Sequence, residues 1–227
     1  MTTTLRLVIF DVDGTLVDSQ SDILAAMGAA FAAVDQSLPD RQTVLGVVGL
    51  SLDVIFPVLV PDLPASAHQK MAQAYKDAYM DLRAQAGAAQ SSPFYPGALE
   101  ALRTLHDMPD VLLGVATGKS KRGLDKLIEG HGLDGLFVTQ QVADFHPSKP
   151  HPSMILQAMA ETGVTPQDTV MIGDTSFDME MAAAAGVYGI GVGWGYHSYH
   201  RLEKARVLID SYSSLRPALD EFWKVPA

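Results

Sequence analysis

The chain opens on a short apolar run, Leu5-Arg6-Leu7-Val8-Ile9-Phe10, that has no helical period and stops at the turn-forming cluster Asp11-Val12-Asp13-Gly14. This pattern predicts a buried strand that ends in acids. From residue 18 to about residue 81 the texture changes to Ala, Leu and Met rich stretches, with polar residues at helical spacing over 22–34 and 65–82. Strand signals are nearly absent there. Residues 87–97, Gly-Ala-Ala-Gln-Ser-Ser-Pro-Phe-Tyr-Pro-Gly, crowd small and turn residues between two periodic segments and read as a linker. Beyond Pro96 the pattern alternates strictly. Helices are expected at 98–106, 120–131, 152–161, 176–185 and 213–223, and strands at 111–116, 136–139, 169–172, 187–192 and 207–209.

Apolar strands separated by helices argue for a parallel sheet covered on both faces. The first strand belongs with them. The expected fold class is therefore α/β, a doubly wound parallel, Rossmann-like sheet with a helical cap domain inserted after the first strand. Its expected division is 1–16 with 93–227 for the core and 17–92 for the cap, and a length of 227 residues suits one domain carrying an insert.

Composition narrows the function classes. Apolar residues at 48% and charged residues at 19% exclude disorder as the main state. The 26 acidic residues against 16 basic ones leave a net charge of -10, which repels a phosphate backbone, so no nucleic-acid partner is expected. The apolar run near the start, Leu7 to Phe10, is too short for a signal-peptide core or a membrane span, and no uninterrupted apolar stretch of spanning length follows, so no membrane partner is expected and the protein is read as soluble and cytoplasmic. With no cysteine, disulfides, thiolate metal sites and a cysteine nucleophile are excluded. Oligomeric state leaves no mark on the sequence.

In a doubly wound sheet ligands sit beyond the carboxyl ends of the strands. At those ends stand Asp11 and Asp13, then Thr117 and Gly118, then Asp174 and, four residues on, Asp178, with Lys149 in a loop before a helix. Residues two apart in an extended chain point the same way, so Asp11 and Asp13 can face one site. Converging carboxylates repel, and the simplest remedy is a hard divalent cation with oxygen ligands, magnesium (Mg2+) above all. Such a cation, Lys149 and the hydroxyl and amides around Thr117 and Gly118 make a pocket for a phosphate dianion. A carboxylate can then attack phosphorus while a second acid serves the leaving oxygen.

In order, Asp11-Val12-Asp13-Gly14-Thr15, Thr117, Lys149-Pro150 and Gly173-Asp174-Thr175-Ser176-Phe177-Asp178 resemble the motifs of the haloacid dehalogenase superfamily. The chain most resembles its phosphoglycolate-phosphatase-like branch with a helical cap, over nearly the whole length. The resemblance implies that Asp11 is a nucleophile forming an aspartyl-phosphate, and that Asp13 protonates the leaving group and then activates water. It implies that Thr117 and Lys149 hold the phosphoryl group, and that magnesium is bound by Asp11, the backbone carbonyl of Asp13 and Asp174. Asp178 supports the metal or orients Lys149 in the same scheme. Gly49, Leu50 and Ser51, within Gly46-Val47-Val48-Gly49-Leu50-Ser51-Leu52, resemble the substrate-facing cap loop of that branch.

An acid at position 13 argues for phosphoryl transfer over dehalogenation or phosphonate cleavage. The implied activity is magnesium-dependent hydrolysis of a small phosphorylated metabolite, phosphoglycolate-like, with a pyrophosphatase or a sugar-phosphate mutase of the same superfamily as alternatives. The cap loop carries no Arg or Lys to grip a second phosphate, which disfavours the mutase. A phosphoryl-storing receiver domain also pairs clustered acids with a strand-end Thr and a Lys-Pro, but the long insert and Asp13 speak against storage. Thr117-Gly118-Lys119-Ser120 lacks the upstream glycine of a nucleotide phosphate loop. His197 and His200 have a spacing open to metal ligation but read more simply as exposed loop histidines, one of them bordering the pocket.

Overall fold

Leu7, Val8, Ile9 and Phe10 are all inaccessible to solvent because the strand they form, β1 (Arg6–Phe10), lies inside a parallel sheet with helices on both faces. In the computed structural model, which describes residues 4–224, the sheet runs β3-β2-β1-β4-β5-β6. Alternate side chains of β1 go to opposite faces. Val8 and Phe10 join a cluster with Leu102, Leu124 and Leu215, whereas Leu7 and Ile9 join another with Met154, Ile155 and Met181. One short strand thus anchors two cores, which explains why its sequence reads as a continuous apolar run.

After β1 the chain makes five helices: α1 (Gln20–Ala32), α2 (Arg41–Leu45), α3 (Leu52–Leu59), α4 (Ala65–Ala86) and α5 (Ala88–Ser91). The first four share a third cluster that includes Met27, Phe31, Val44, Phe56, Met71 and Tyr79, with Phe177 and Tyr196 packed against it. The chain leaves for this layer and returns from it side by side: Asp18 N donates to Pro93 O at 2.8 Å and Tyr95 N to Leu16 O at 3.0 Å. The remainder alternates as α6 (Ala98–His106), β2 (Val111–Thr117), α7 (Lys121–His131), β3 (Thr139–Val142) and α8 (Ser153–Thr162). It closes with β4 (Thr169–Gly173), α9 (Ser176–Ala185), β5 (Tyr188–Val192), β6 (Val207–Ile209) and α10 (Leu215–Lys224). The ends of the expected core division, residues 1–3 and 225–227, lie outside the described residues.

Two expectations need correction. The third strand is not at 136–139 but at Thr139–Val142. Leu136 N bonds Leu133 O in a turn and Phe137 packs into the core from there, so the apolar run belongs to the approach rather than to the strand. At the sheet edge the strand itself is polar: Gln141 donates to Thr139 Oγ1 (2.7 Å) and Glu161 Oε2 (2.9 Å), and accepts from His146 (2.8 Å). The linker is also not wholly irregular, since α5 forms within it where no Gly or Pro interrupts. Among the described residues no helix is long and apolar enough to cross a membrane.

Candidate active site

The strand order reverses beside β1, which pairs with β2 on one side and β4 on the other, and the crevice at their carboxyl ends is where such sheets bind ligands. Asp11 is the first residue beyond β1. Its N–H donates to Ile172 O at 2.9 Å, prolonging the ladder, and its carboxylate is almost wholly buried. A buried carboxylate needs a partner. Lys149, itself 2% exposed, supplies one, with its Nζ 2.9 Å from Asp11 Oδ1 and 2.6 Å from Asp178 Oδ1. Burial works against the Lys149 charge, but the two carboxylates outweigh it and raise its pKa. Burial lifts Asp11 to about 7 against the pull of Lys149, with Asp178 adding to the rise.

Asp178 has a second task. It is the third residue of α9 and closes a capping box with Thr175: Oδ2 accepts from Thr175 N (3.0 Å) and Oγ1 (2.7 Å), while its own N–H donates to Thr175 Oγ1 at 3.2 Å. Helix capping and the hold on Lys149 therefore coexist in one side chain, one carboxylate oxygen serving each.

Asp174, at the end of β4, accepts from Thr15 Oγ1 on Oδ1 and from Tyr196 N on Oδ2, both at 2.8 Å. It lies between two glycines, since a Cβ built on Gly14 or on Gly195 would fall inside its carboxylate. Ligand oxygens of Asp11, Asp174 and Asp178 all lie within 4.8 Å of one another. Burial, then Asp178 and Asp11, push Asp174 well above the usual carboxylate range. Three buried carboxylates thus face one buried ammonium, and although Lys149 is close to Asp11 Oδ1 it lies off the line of a hydrogen bond, which leaves that oxygen without one. All-oxygen donors, excess negative charge and an orphaned oxygen fit a hard divalent cation.

Gly14 also has φ +85°, a region L side chains rarely adopt. Gly14→Ala is accordingly expected to destabilise the fold by about 1–3 kcal/mol and to shrink any thermal stabilisation by magnesium, because the new methyl displaces Asp174. Melting curves with and without magnesium check this, and an unchanged pair of curves would refute it.

Asp13 sits at the edge of the crevice, half-buried, and accepts from Lys119 Nζ at 2.7 Å and from Ser19 Oγ. Lys119 also donates to Tyr79 Oη at 3.2 Å and lies 5.0 Å from the centre of that ring. Burial opposes its charge, but Asp13 and then Tyr79 outweigh burial and raise its pKa. Thr117 ends β2, buried, with Oγ1 accepting from Lys119 N at 3.2 Å. At Gly118 a Cβ would meet Gly49 O at 2.8 Å and Leu50 O at 3.1 Å, so the cap loop rests directly on the end of β2.

Gly49 and Leu50 line the cavity between cap and core, whose volume is about 800 Å³ and whose floor includes Asp11, Asp13, Thr117, Gly118 and Lys119. Ser51 is not part of that lining: it precedes α3, and its N–H donates to Ser148 Oγ at 2.9 Å, beside the Lys149 loop. Lys119 and Ser19 were not among the residues singled out from sequence. For Lys119 the sequence does carry a signal, since it stands two positions beyond the strand-end Thr117. The 46–52 loop carries no cation, as its sequence shows, but α4 contributes Lys76 and Arg83 to the cavity lining from outside that loop. The reading of His197 as exposed is likewise corrected. It is buried, its Nδ1 accepting from Ser176 N (3.0 Å) and its Nε2 donating to Gly46 O (3.1 Å), so it ties the cap loop to the start of α9. Burial, then Arg201, pushes it down to about 4 and keeps it neutral for that task. His200 is exposed and pairs with Ser198 Oγ at 3.0 Å.

A family model described as haloacid dehalogenase-like hydrolase matches residues 8–192, from β1 to the end of β5. A probable phosphatase IndB of Dickeya dadantii (strain 3937) is 35% identical over 213 residues, covering 92% of this chain and 91% of its own. A phosphoglycolate phosphatase of Salmonella typhi is 28% identical over 238 residues, covering 95% and 92%. Among solved structures, a β-phosphoglucomutase from Clostridium difficile superposes with a TM-score of 0.81 at 20% identity, covering 98% and 100%, a likeness of fold alone. By the extent of the family match and by its relatives, the chain belongs to the haloacid dehalogenase-like hydrolases.

Proposed function

We propose that the protein is a magnesium-dependent phosphatase of small phosphomonoesters that works through an aspartyl-phosphate on Asp11, with Asp13 as general acid and base. The observation that carries this reading is the Asp11 carboxylate: buried, held by Lys149 at 2.9 Å, lacking a hydrogen bond on Oδ1, and facing a cavity whose floor it shares with a second acid. An Asp11 oxygen attacks phosphorus, the ester P–O bond breaks, and Asp13 gives its proton to the departing alcohol oxygen. Asp13, now a carboxylate, takes a proton from a water that attacks the phosphorus, which frees Asp11 and inorganic phosphate. In this scheme Thr117 Oγ1, the Gly118 amide and Lys149 hold the phosphoryl oxygens, a role supported by Thr117 and Gly118 lining the same cavity as Asp11 and by the contact of Lys149 with Asp11. Asp11, Asp174 and the Asp13 backbone carbonyl would hold the magnesium ion, which when bound supplies charge neutralisation at those oxygens. Asp178 acts through Lys149, which it holds at 2.6 Å.

On this reading residues 17–92 form a cap domain over a core of 1–16 and 93–227, and the cap excludes water and selects substrate. Relatives named phosphoglycolate phosphatase support a phosphoglycolate-like substrate. A sugar-phosphate mutase is the second reading, favoured by Lys76 and Arg83 in the cavity lining, where a second phosphate could be gripped. Phosphate release from phosphoglycolate, pyrophosphate and hexose phosphates, with magnesium and with EDTA, tests the first reading. Isomerised hexose phosphate without net release would favour the second.

Asp13→Asn keeps the shape of the side chain and its contact with Ser19 but cannot deliver or take up a proton. Turnover is expected to fall by about 10²–10⁴-fold with the fold retained. Steady-state phosphate release beside a circular-dichroism melt measures both, and wild-type turnover in a folded variant would remove Asp13 from the mechanism.

A further inference from the structure

The proposed reaction occupies only the floor of the cavity. A volume of about 800 Å³ lies within the range of pockets that enclose drug-sized ligands, and a two-carbon acid would leave most of it to water. The wall above the floor is apolar, formed by Ile23 and Met27 of α1, Leu50, Ile55 of α3, and Tyr75 and Met80 of α4. Ile23, Met27 and Ile55 also belong to the cap's own buried cluster, so the wall is a fixed part of the cap core rather than a set of loose surface chains. Tyr75 is stacked on Tyr79, with ring centres 5.9 Å apart and planes at 26°, and Tyr79 in turn is held by Lys119 and by Arg83, whose guanidinium lies 5.1 Å from the ring centre.

Chemistry separates the candidate occupants. The hydroxyls of a sugar or the carboxylate of glycolate, placed against Ile23, Met27, Leu50, Ile55 and Met80, would lose water to side chains that offer no hydrogen bond, which is costly for each group, while Gln73, Lys76 and Arg83 of the same lining serve only the polar groups that reach them. An apolar ring loses nothing there and displaces poorly bonded water.

We propose that the alcohol released by this enzyme carries a ring-sized apolar body, seated against Ile23, Met27, Leu50, Ile55, Tyr75 and Met80 while its phosphoryl group rests on the floor beside Asp11 and Asp13. The proposal rests on the phosphatase reading and narrows its substrate class. Lys76, Arg122 and Lys126 around the same cavity complement it, because they offer positive charge to an incoming phosphate dianion on a chain of net charge -10.

The test compares kcat/KM for 2-phenylethyl phosphate, ethyl phosphate and phosphoglycolate in magnesium. All are esters of primary alcohols, so none has the easier departure of a phenol. The phenylethyl ester is expected to lead both others by at least about tenfold. Met80→Glu and, as a second variant, Tyr75→Gln, each at a half-buried position and each checked for folding by thermal melt, are expected to cut that lead by about tenfold. Turnover of the two small esters at rates equal to or above the phenylethyl ester overturns the proposal and leaves the phosphatase reading standing. A lead untouched in both folded variants also overturns it, since the wall would then not be the seat. Release from none of the three esters by the folded protein overturns both the proposal and the reading beneath it.

Discussion

Asp11→Asn is expected to abolish phosphate release, with turnover lower by more than about 10⁴-fold, while the protein still folds. The amide has the volume of the carboxylate but no charge and no oxygen basic enough to attack phosphorus, so the covalent step is lost and only binding and electrostatics remain. Folding survives because Lys149 keeps Asp178 at 2.6 Å as its partner. The substitution should also leave a signature in stability that a mere loss of activity would not. In EDTA the Asp11 pKa is raised by burial from 3.8 to about 7, so the folded state binds this proton more tightly than the unfolded state does. That contribution is fully present below about pH 4 and is lost as pH rises through about 7. Asn cannot titrate, so wild type should lose stability relative to the variant between those limits. Phosphate release and paired melts in EDTA at pH 5 and pH 8 measure the two effects. Activity within tenfold of wild type would place the nucleophile elsewhere, and a stability gap independent of pH would remove the buried-carboxylate account.

The residues legible in the sequence are those whose position depends only on the sheet. Asp11, Thr117 and Asp174 each stand at the carboxyl end of a strand, and a parallel sheet brings those ends together whatever the loops do. The cap obeyed no such rule. Its helices were readable from periodicity, yet Tyr79, Lys76 and Arg83 reach the cavity only because α4 lies against α1 in one particular rotation, and no local pattern encodes that. His197 shows the same limit from the core side. As a loop residue between tyrosines it looks exposed, and it is buried because the Gly46 carbonyl of the cap comes down to meet it. The polar edge strand β3 misled periodicity for a different reason: Gln141 is satisfied by Glu161 and His146, so burial there follows hydrogen bonding rather than hydrophobicity.

Lys149→Met is expected to cost both activity and stability, because one ammonium does two jobs. At 2.9 Å it holds Asp11, and in the proposed mechanism it holds the phosphoryl oxygens together with Thr117. Losing a donor to developing negative charge costs about 10²–10³-fold and letting the nucleophile drift costs about another 10²-fold, so turnover should fall by about 10⁴-fold or more. The stability loss follows from what remains: Asp11, Asp174 and Asp178 buried within 4.8 Å of one another with no counter-charge among them. Breaking a buried ion pair by removing one partner costs about 3–5 kcal/mol, which for a chain of this size lowers Tm by roughly 6–20 °C. Two further results separate this cause from simple mispacking. Magnesium should raise the Tm of the variant more than that of wild type, because a cation that binds only the folded state stabilises it by mass action and here replaces the missing charge. Asp178→Asn added to Lys149→Met should recover part of the stability, since it removes one of the uncompensated carboxylates and makes the pair non-additive. A Lys149→Met protein that melts with wild type in EDTA would mean that the three acids are already protonated in the native state, and the cluster would then lose its claim on a divalent cation.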